Sequence, residues 1–160
     1  MPRLISILQK IEDTILVSLL LTMITMAVLQ IFLRNLFDSG IVWADPMVRV
    51  LVLWLGLIGA MVASRSGNHI SIDVISRYLP GTLKQASGLV VNLFTAGISG
   101  LMAWHSFRFV AMEKADQMTA FANVPAWICE AIIPVAFSVI SIRYVLFFIQ
   151  GAARLFRTTP

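Results

Sequence analysis

Charge is what this 160-residue chain has least of: 12% of its residues are Asp, Glu, Lys or Arg, while 59% are hydrophobic. A soluble domain is about a quarter charged and roughly half apolar. The chain therefore lacks the polar residues to face water all round, and its mean hydropathy of +0.89 points to lipid as the solvent. Cysteine is nearly absent. Cys129 alone excludes an intrachain disulfide or thiol relay, and in its apolar setting it reads as a small buried residue. Histidine occurs twice, at 69 and 105. No G-x-S-x-G, H-E-x-x-H or Walker sequence is present, which removes the common signatures of nucleophilic, zinc and phosphoryl chemistry.

What is there is apolar sequence in long runs. A bilayer core about 30 Å thick needs about 20 apolar helical residues to cross. Four runs qualify: Thr14–Leu33, Met47–Ser64, Ala86–Phe107 and Ala126–Ile149. The first carries no charge, is longer than a signal-peptide core, and is followed by no clear cleavage site, so it reads as a retained anchor. The expectation is an all-α membrane protein: one integral domain over 1–160, four transmembrane helices with interfacial amphipathic segments, and no separate soluble part. With the amino terminus inside, Arg3, Lys10, Arg65, Arg77, Lys84, Arg154 and Arg157 share one side, seven against the three of Arg34, Arg108 and Lys114. Basic residues favour the cytoplasm, so both termini are expected there. The net charge of +4 is then a topology signal and no reason to expect nucleic acid.

The outer connection "RNLFDSGIVWADP", Arg34 to Pro46, mixes charge with Leu36, Phe37, Ile41, Val42 and Trp43. It reads as an interfacial segment with Trp43 in the aromatic belt, Arg34 within pairing reach of Asp38, and Pro46 in the first turn of the second span. The inner stretch "SRSGNHISIDVISRYLP", Ser64 to Pro80, holds an unusual density of polar groups. Gly67 and Asn68 break the helix, Ser71 suits an N-cap, and Asp73 lies one turn before Arg77. At 100° per residue, Ile70, Ile72, Val74, Ile75, Tyr78 and Leu79 fall on one side, with Asp73, Ser76 and Arg77 opposite. That pattern predicts an amphipathic helix along the membrane surface.

Chemistry finds little support. His69 and His105 are expected on opposite sides of the bilayer, which argues against a bis-histidine haem or a zinc site. Glu130 is the one acid well inside a span. Arg143 follows 13 positions later, about 20 Å along a helix, so each needs a partner elsewhere. For Glu130 that is a contact with another helix, lipid or water. Arg143 either snorkels inward or holds a structural pair, and Arg49 has Asp45 four residues before it. Pro134 is placed to kink the fourth span. Small residues recur four apart at Gly56/Ala60, Gly59/Ala63, Ala96/Gly100 and Ser99/Ala103, a spacing that lets helices pack closely. No metal, cofactor, catalytic or substrate-binding residues are expected, and the chain is not read as an enzyme.

The order of motifs adds more. "WADPMVRVLVLWLGLIGAMVASRSGNHISIDVISRYLP" resembles the small membrane subunit of tripartite ATP-independent periplasmic (TRAP) transporters, the small-permease, DctQ-like family. Trp43, Asp45, Arg49, Trp54, Gly59, Ala60, Arg65, Gly67, His69, Ile70, Asp73, Leu79 and Pro80 match its pattern, and Pro125, Trp127, Pro134 and Arg143 carry the likeness into the fourth span. Pro46 replaces the second acid of the family's usual pair. The resemblance implies a bacterial inner-membrane, three-component secondary transporter for an organic acid. In it, a periplasmic protein captures solute and a large membrane subunit moves it by a sodium-driven elevator motion. The small subunit forms a heterodimer with the large one and braces its scaffold in the lipid, without touching cargo. On this reading the segments 34–46 and 69–80 fix the depth, spans two to four face the large subunit, and Asp38, Asp45, Glu113 and Asp116 are candidates for steering the periplasmic protein. Trp43, Asp45, Arg49, Trp54, Gly59, Arg65, His69, Asp73, Arg77, Pro125, Trp127, Glu130, Pro134 and Arg143 are the structural or interface candidates. The competing readings are an anchor subunit of another complex, such as a respiratory enzyme, and an independent small carrier.

Overall fold

In water a long helix this apolar would be unsupported, but in lipid a helix is the one open-ended structure that satisfies its own backbone. The computed structural model describes residues 2–38, 40–65 and 81–157, with side chains for 6–38, 40–65 and 87–153. The proposed surface helix at 69–80, with His69, Asp73 and Arg77, lies outside the described residues. Helices α1 (Pro2–Phe37), α2 (Ala44–Ala63) and α3 (Gly81–Asp116) are followed by strands β1 (Thr119–Phe121) and β2 (Val124–Pro125), then helices α4 (Ala126–Glu130) and α5 (Ile132–Arg157). Their apolar stretches Ser6–Phe37, Ala44–Ala63, Ser87–Asp116 and Ala126–Ala153 are each long enough to cross a membrane. They contain the four expected spans to within a residue. The helices run further than hydropathy alone suggested: α1 begins at Pro2, well before Thr14, and α3 continues to Asp116.

Two boundaries have a local cause. Asp38 has φ 43°, a left-handed conformation that stops α1, so Arg34–Phe37 is helical and the connection shrinks to a short loop. Gln30 fixes that loop: its Nε2 donates to the Ile41 carbonyl and its Oε1 accepts from the Ile41 N–H, both at 3.2 Å. Gly40 permits the approach, since a Cβ there would stand 3.2 Å from Gln30 Nε2. Pro46 lies in the first turn of α2, as expected. The fourth span is interrupted at Ala131. Pro134 is therefore the third residue of α5, where its missing N–H costs nothing, and it starts a helix instead of kinking one.

The β-hairpin was not anticipated. Ala122 and Asn123 have φ of 43° and 64°, a two-residue turn of the type whose twist matches antiparallel strands, and Phe121 faces Val124 across it.

The spans follow one another as neighbours in a row, α1–α2–α5–α3. The most extensive packing joins α3 to α5, α2 bridges α5 to α1, and α2 is the main neighbour of α1. Small residues allow the close seams. Ser141 Oγ donates to the Ala96 carbonyl at 3.0 Å, and a Cβ on Gly100 would sit 3.3 Å from that hydroxyl. A Cβ on Gly151 would meet Leu89 at 2.9 Å, and one on Gly59 would meet Leu16 at 3.8 Å. Gly56, by contrast, faces open space. A row has two open faces. Among the described residues no large side chain is fully buried, and the buried set is mostly small: Ala44, Ala96, Ala126, Cys129 and Ala136.

Candidate functional site

Arg65 follows the last turn of α2, Arg143 projects from α5, and Glu12 lies on the first half of α1. The antiparallel run of the chain brings all three to one end of the row. Arg65 Nε donates to Glu12 Oε2 at 2.8 Å, and its Nη1 donates to Asp13 Oδ1 at 2.7 Å. Its Nη2 also reaches Glu12 Oε2 and, at 3.0 Å, the Gln9 carbonyl. Arg143 Nη2 donates to the other Glu12 oxygen, Oε1, at 2.7 Å, while its Nη1 donates to the Met61 carbonyl and to Ser64 Oγ at 3.0 Å. Ser64 is buried, and its hydroxyl donates in turn to the Met61 carbonyl at 2.6 Å. Two guanidinium groups thus meet two carboxylates, and one glutamate spans three helices.

Arg65 and Glu12 are 14% and 17% exposed, so these contacts are partly shielded from water. Burial pulls the Arg65 pKa down, but hydrogen bonds and charge from Glu12 and Asp13 outweigh it and leave the guanidinium above its ordinary value. Such a charge-balanced network fastens helices together. With its carboxylates already engaged by arginines, it offers no evident base or nucleophile.

Of the sequence candidates, Arg65 and Arg143 meet here. Glu12 and Asp13 were missed. A partial signal was present: a structural pair was one of the two outcomes open to Arg143, and Glu12 and Asp13 are two of the few acids expected on its side of the bilayer. The anticipated Asp45–Arg49 and Arg34–Asp38 pairs do not form; Asp45, Arg49 and Arg34 are exposed.

The opposite end gathers other candidates. Trp54 Nε1 donates to the Cys129 carbonyl at 2.8 Å, tying α2 to the end of α4. Pro125 leads into α4, and the Lys114 ammonium lies 5.2 Å from the centre of a Trp127 ring, a cation–π contact. Glu130 has one carboxylate oxygen buried without a hydrogen-bond partner. Trp43 stands half-exposed before α2, and Gly59 lies on the α1–α2 seam. Among the described residues no group of three His, Cys, Asp or Glu could hold a metal ion.

The family described as the DctQ component of tripartite ATP-independent periplasmic transporters matches residues 23–154. The ectoine TRAP transporter small permease protein TeaB of Halomonas elongata is 24% identical over 140 residues, 87% of this chain and 72% of that one. The C4-dicarboxylate TRAP transporter small permease protein DctQ of Pseudomonas aeruginosa is 24% identical over 107 residues, 64% of this chain and 50% of that one. The isethionate TRAP transporter permease protein DctMQ of Oleidesulfovibrio alaskensis is 24% identical over 106 residues, 66% of this chain but 17% of that one. This chain thus spans half or less of the length of the last two.

Proposed function

The chain belongs to the DctQ family, the small permease subunits of TRAP transporters, and from that premise we propose that it braces a large, moving membrane subunit without handling solute itself. The single observation that carries the reading is the row of helices. A layer with two open apolar faces is a poor carrier, because it encloses no path, but it is a good wall for another protein to lean on. The ion-paired end keeps that wall stiff by fixing α1, α2 and α5 to one another.

The partner is a large TRAP permease subunit in a heterodimer. In the relative named DctMQ the matching segment makes up 17% of a much longer permease chain, which supports close association of the two parts. The complex works in the bacterial inner membrane with a periplasmic binding protein. It takes up a small organic acid or similar solute, driven by sodium, and the Glu12–Arg65 end faces the cytoplasm as the basic residues favour. Exposed Asp38, Asp45 and Asp116, with half-buried Glu113, lie at the opposite end, where negative charge can steer an arriving protein.

Co-purification with a large TRAP permease subunit, together with no uptake by this chain alone in vesicles, is the expected outcome. Solute uptake by the purified chain in sealed vesicles would overturn the reading. So would co-purification with a redox subunit in place of a permease.

A further inference from the structure

Between the far ends of α1 and α2 lies a groove of about 380 Å³, lined by Ala27, Gln30, Ile31, Arg34, Asp45, Val48 and Arg49. Gln30 is engaged with the backbone of Ile41. Arg34 and Arg49 are different: they line one groove from two helices and make no ion pair or hydrogen bond with the described residues. The two like charges repel, and Asp45 in the same lining offsets only one of them, so a further single negative charge would balance the groove.

Depth narrows the choice of anion. Arg34 is three residues from the end of α1 at Phe37, and Arg49 is five residues into α2 from Ala44. At the helical rise these positions lie about 5 Å and about 8 Å below the helix ends. The headgroup layer of a bilayer is about 5–8 Å deep on each side. Long arginine side chains at that depth reach up to it.

The walls below the arginines are apolar. On α1, Arg34, Ile31, Ala27, Ile24 and Leu20 recur at three- and four-residue spacing, and Ile31, Ile24 and Leu20 are exposed. On α2 the same spacing runs from Arg49 to Val52, exposed, and Gly56, beside which nothing stands within 4 Å. A charged mouth thus opens onto an apolar gutter. Two arginines and Asp45 leave one net positive charge, which matches the single negative charge of a phosphodiester. Guanidinium groups bind phosphate oxygens in paired hydrogen bonds.

We propose that this groove holds a glycerophospholipid of the outer leaflet, its phosphodiester between Arg34 and Arg49 and an acyl chain along the gutter towards Gly56. A side-chain carboxylate of a protein partner would satisfy the charge but would leave the gutter empty. This site does not depend on the bracing role above.

The test uses the full-length chain in detergent, titrated with dioleoyl-phosphatidylglycerol and, separately, with soluble glycerol phosphate, and read by native mass spectrometry. Retention of the lipid but not of glycerol phosphate is expected. The double variant Arg34→Gln, Arg49→Gln should weaken lipid retention at least tenfold, while Arg34→Lys, Arg49→Lys should recover part of it. Among the described residues neither arginine has an ion-pair or hydrogen-bond partner, so helix content and melting of the Gln variant should match the parent, which separates lost binding from lost fold. Equal retention by parent and Gln variant would overturn the proposal. So would equal binding of glycerol phosphate, or displacement of the lipid on adding the large subunit.

Discussion

Glu12 accepts hydrogen bonds from Arg143 on α5 and from Arg65 just past the end of α2, so its removal leaves two partly buried cations without their anion. Losing one partner of a buried pair is expensive because the other charge stays desolvated, and part exposure reduces that cost. Glu12→Gln is therefore expected to destabilise the chain by about 1–3 kcal/mol in a detergent unfolding titration. Asp13 is 56% exposed and meets Arg65 alone, so Asp13→Asn should be close to neutral in the same titration. Equal effects of the two substitutions would show that Glu12 does not join the three helices. At the other end, Trp54→Phe replaces the indole with a smaller phenyl and deletes the N–H bonded to the Cys129 carbonyl; a loss of about 1–3 kcal/mol is expected by the same measurement. The sequence left Arg143 two ways to be satisfied, snorkelling to the interface or a structural pair, because an ionised group inside a span cannot stand alone. It did not show which acid answers, because Glu12 and Arg143 are 131 positions apart and nothing local links them.

At the scale of elements, hydropathy located the four spans because each must cover the same thickness of hydrocarbon. The breaks between them were less legible. The stop at Asp38 and the hairpin turn at Ala122 place ordinary residues in left-handed conformations, without the glycine that signals such turns. Ala122→Gly should relieve that strain and raise stability by about 0.5–1 kcal/mol, seen as a higher melting temperature; a fall would mean the turn is not strained. Small-residue spacing identified real seams at Gly59 and at Ala96/Gly100, yet Gly56 carries the same spacing and opens onto space, so spacing alone does not choose the seam. The α3–α5 seam gives a sharper test. Gly100→Val would push branched methyls into the Ser141 hydroxyl, which already donates to the Ala96 carbonyl. A cost of about 1–3 kcal/mol is expected, and combining it with Ser141→Ala should recover part of that cost, because the added volume then has room.

For the whole molecule, the order α1–α2–α5–α3 was not readable from the chain, because an apolar helix face looks alike whether lipid or protein will cover it. That order has a mechanical consequence. α1 sits at the edge of the row, with none of the most apolar part of its span buried, held by its seam with α2 and by Glu12 and Asp13. Stability should then fall towards that edge, and opening of α1 should precede loss of the α3–α5 seam. If the large subunit covers one face, binding adds to the stability of the row by mass action, about 2.7 kcal/mol at a free partner concentration one hundred times Kd. Hydrogen exchange on the chain in detergent, alone and with the large subunit, measures both effects. α1 amides are expected to exchange before those of α5 in the isolated chain, and protection should rise across the row once the partner is bound. Leu16 and Gly59 mark the edge seam, so a Leu16→Cys, Gly59→Cys pair should cross-link efficiently in the parent background and poorly once Glu12→Gln is added. Undiminished cross-linking in that variant would show that apolar packing alone holds the edge, and the stiffness assigned to the ion-paired end would have to come from elsewhere.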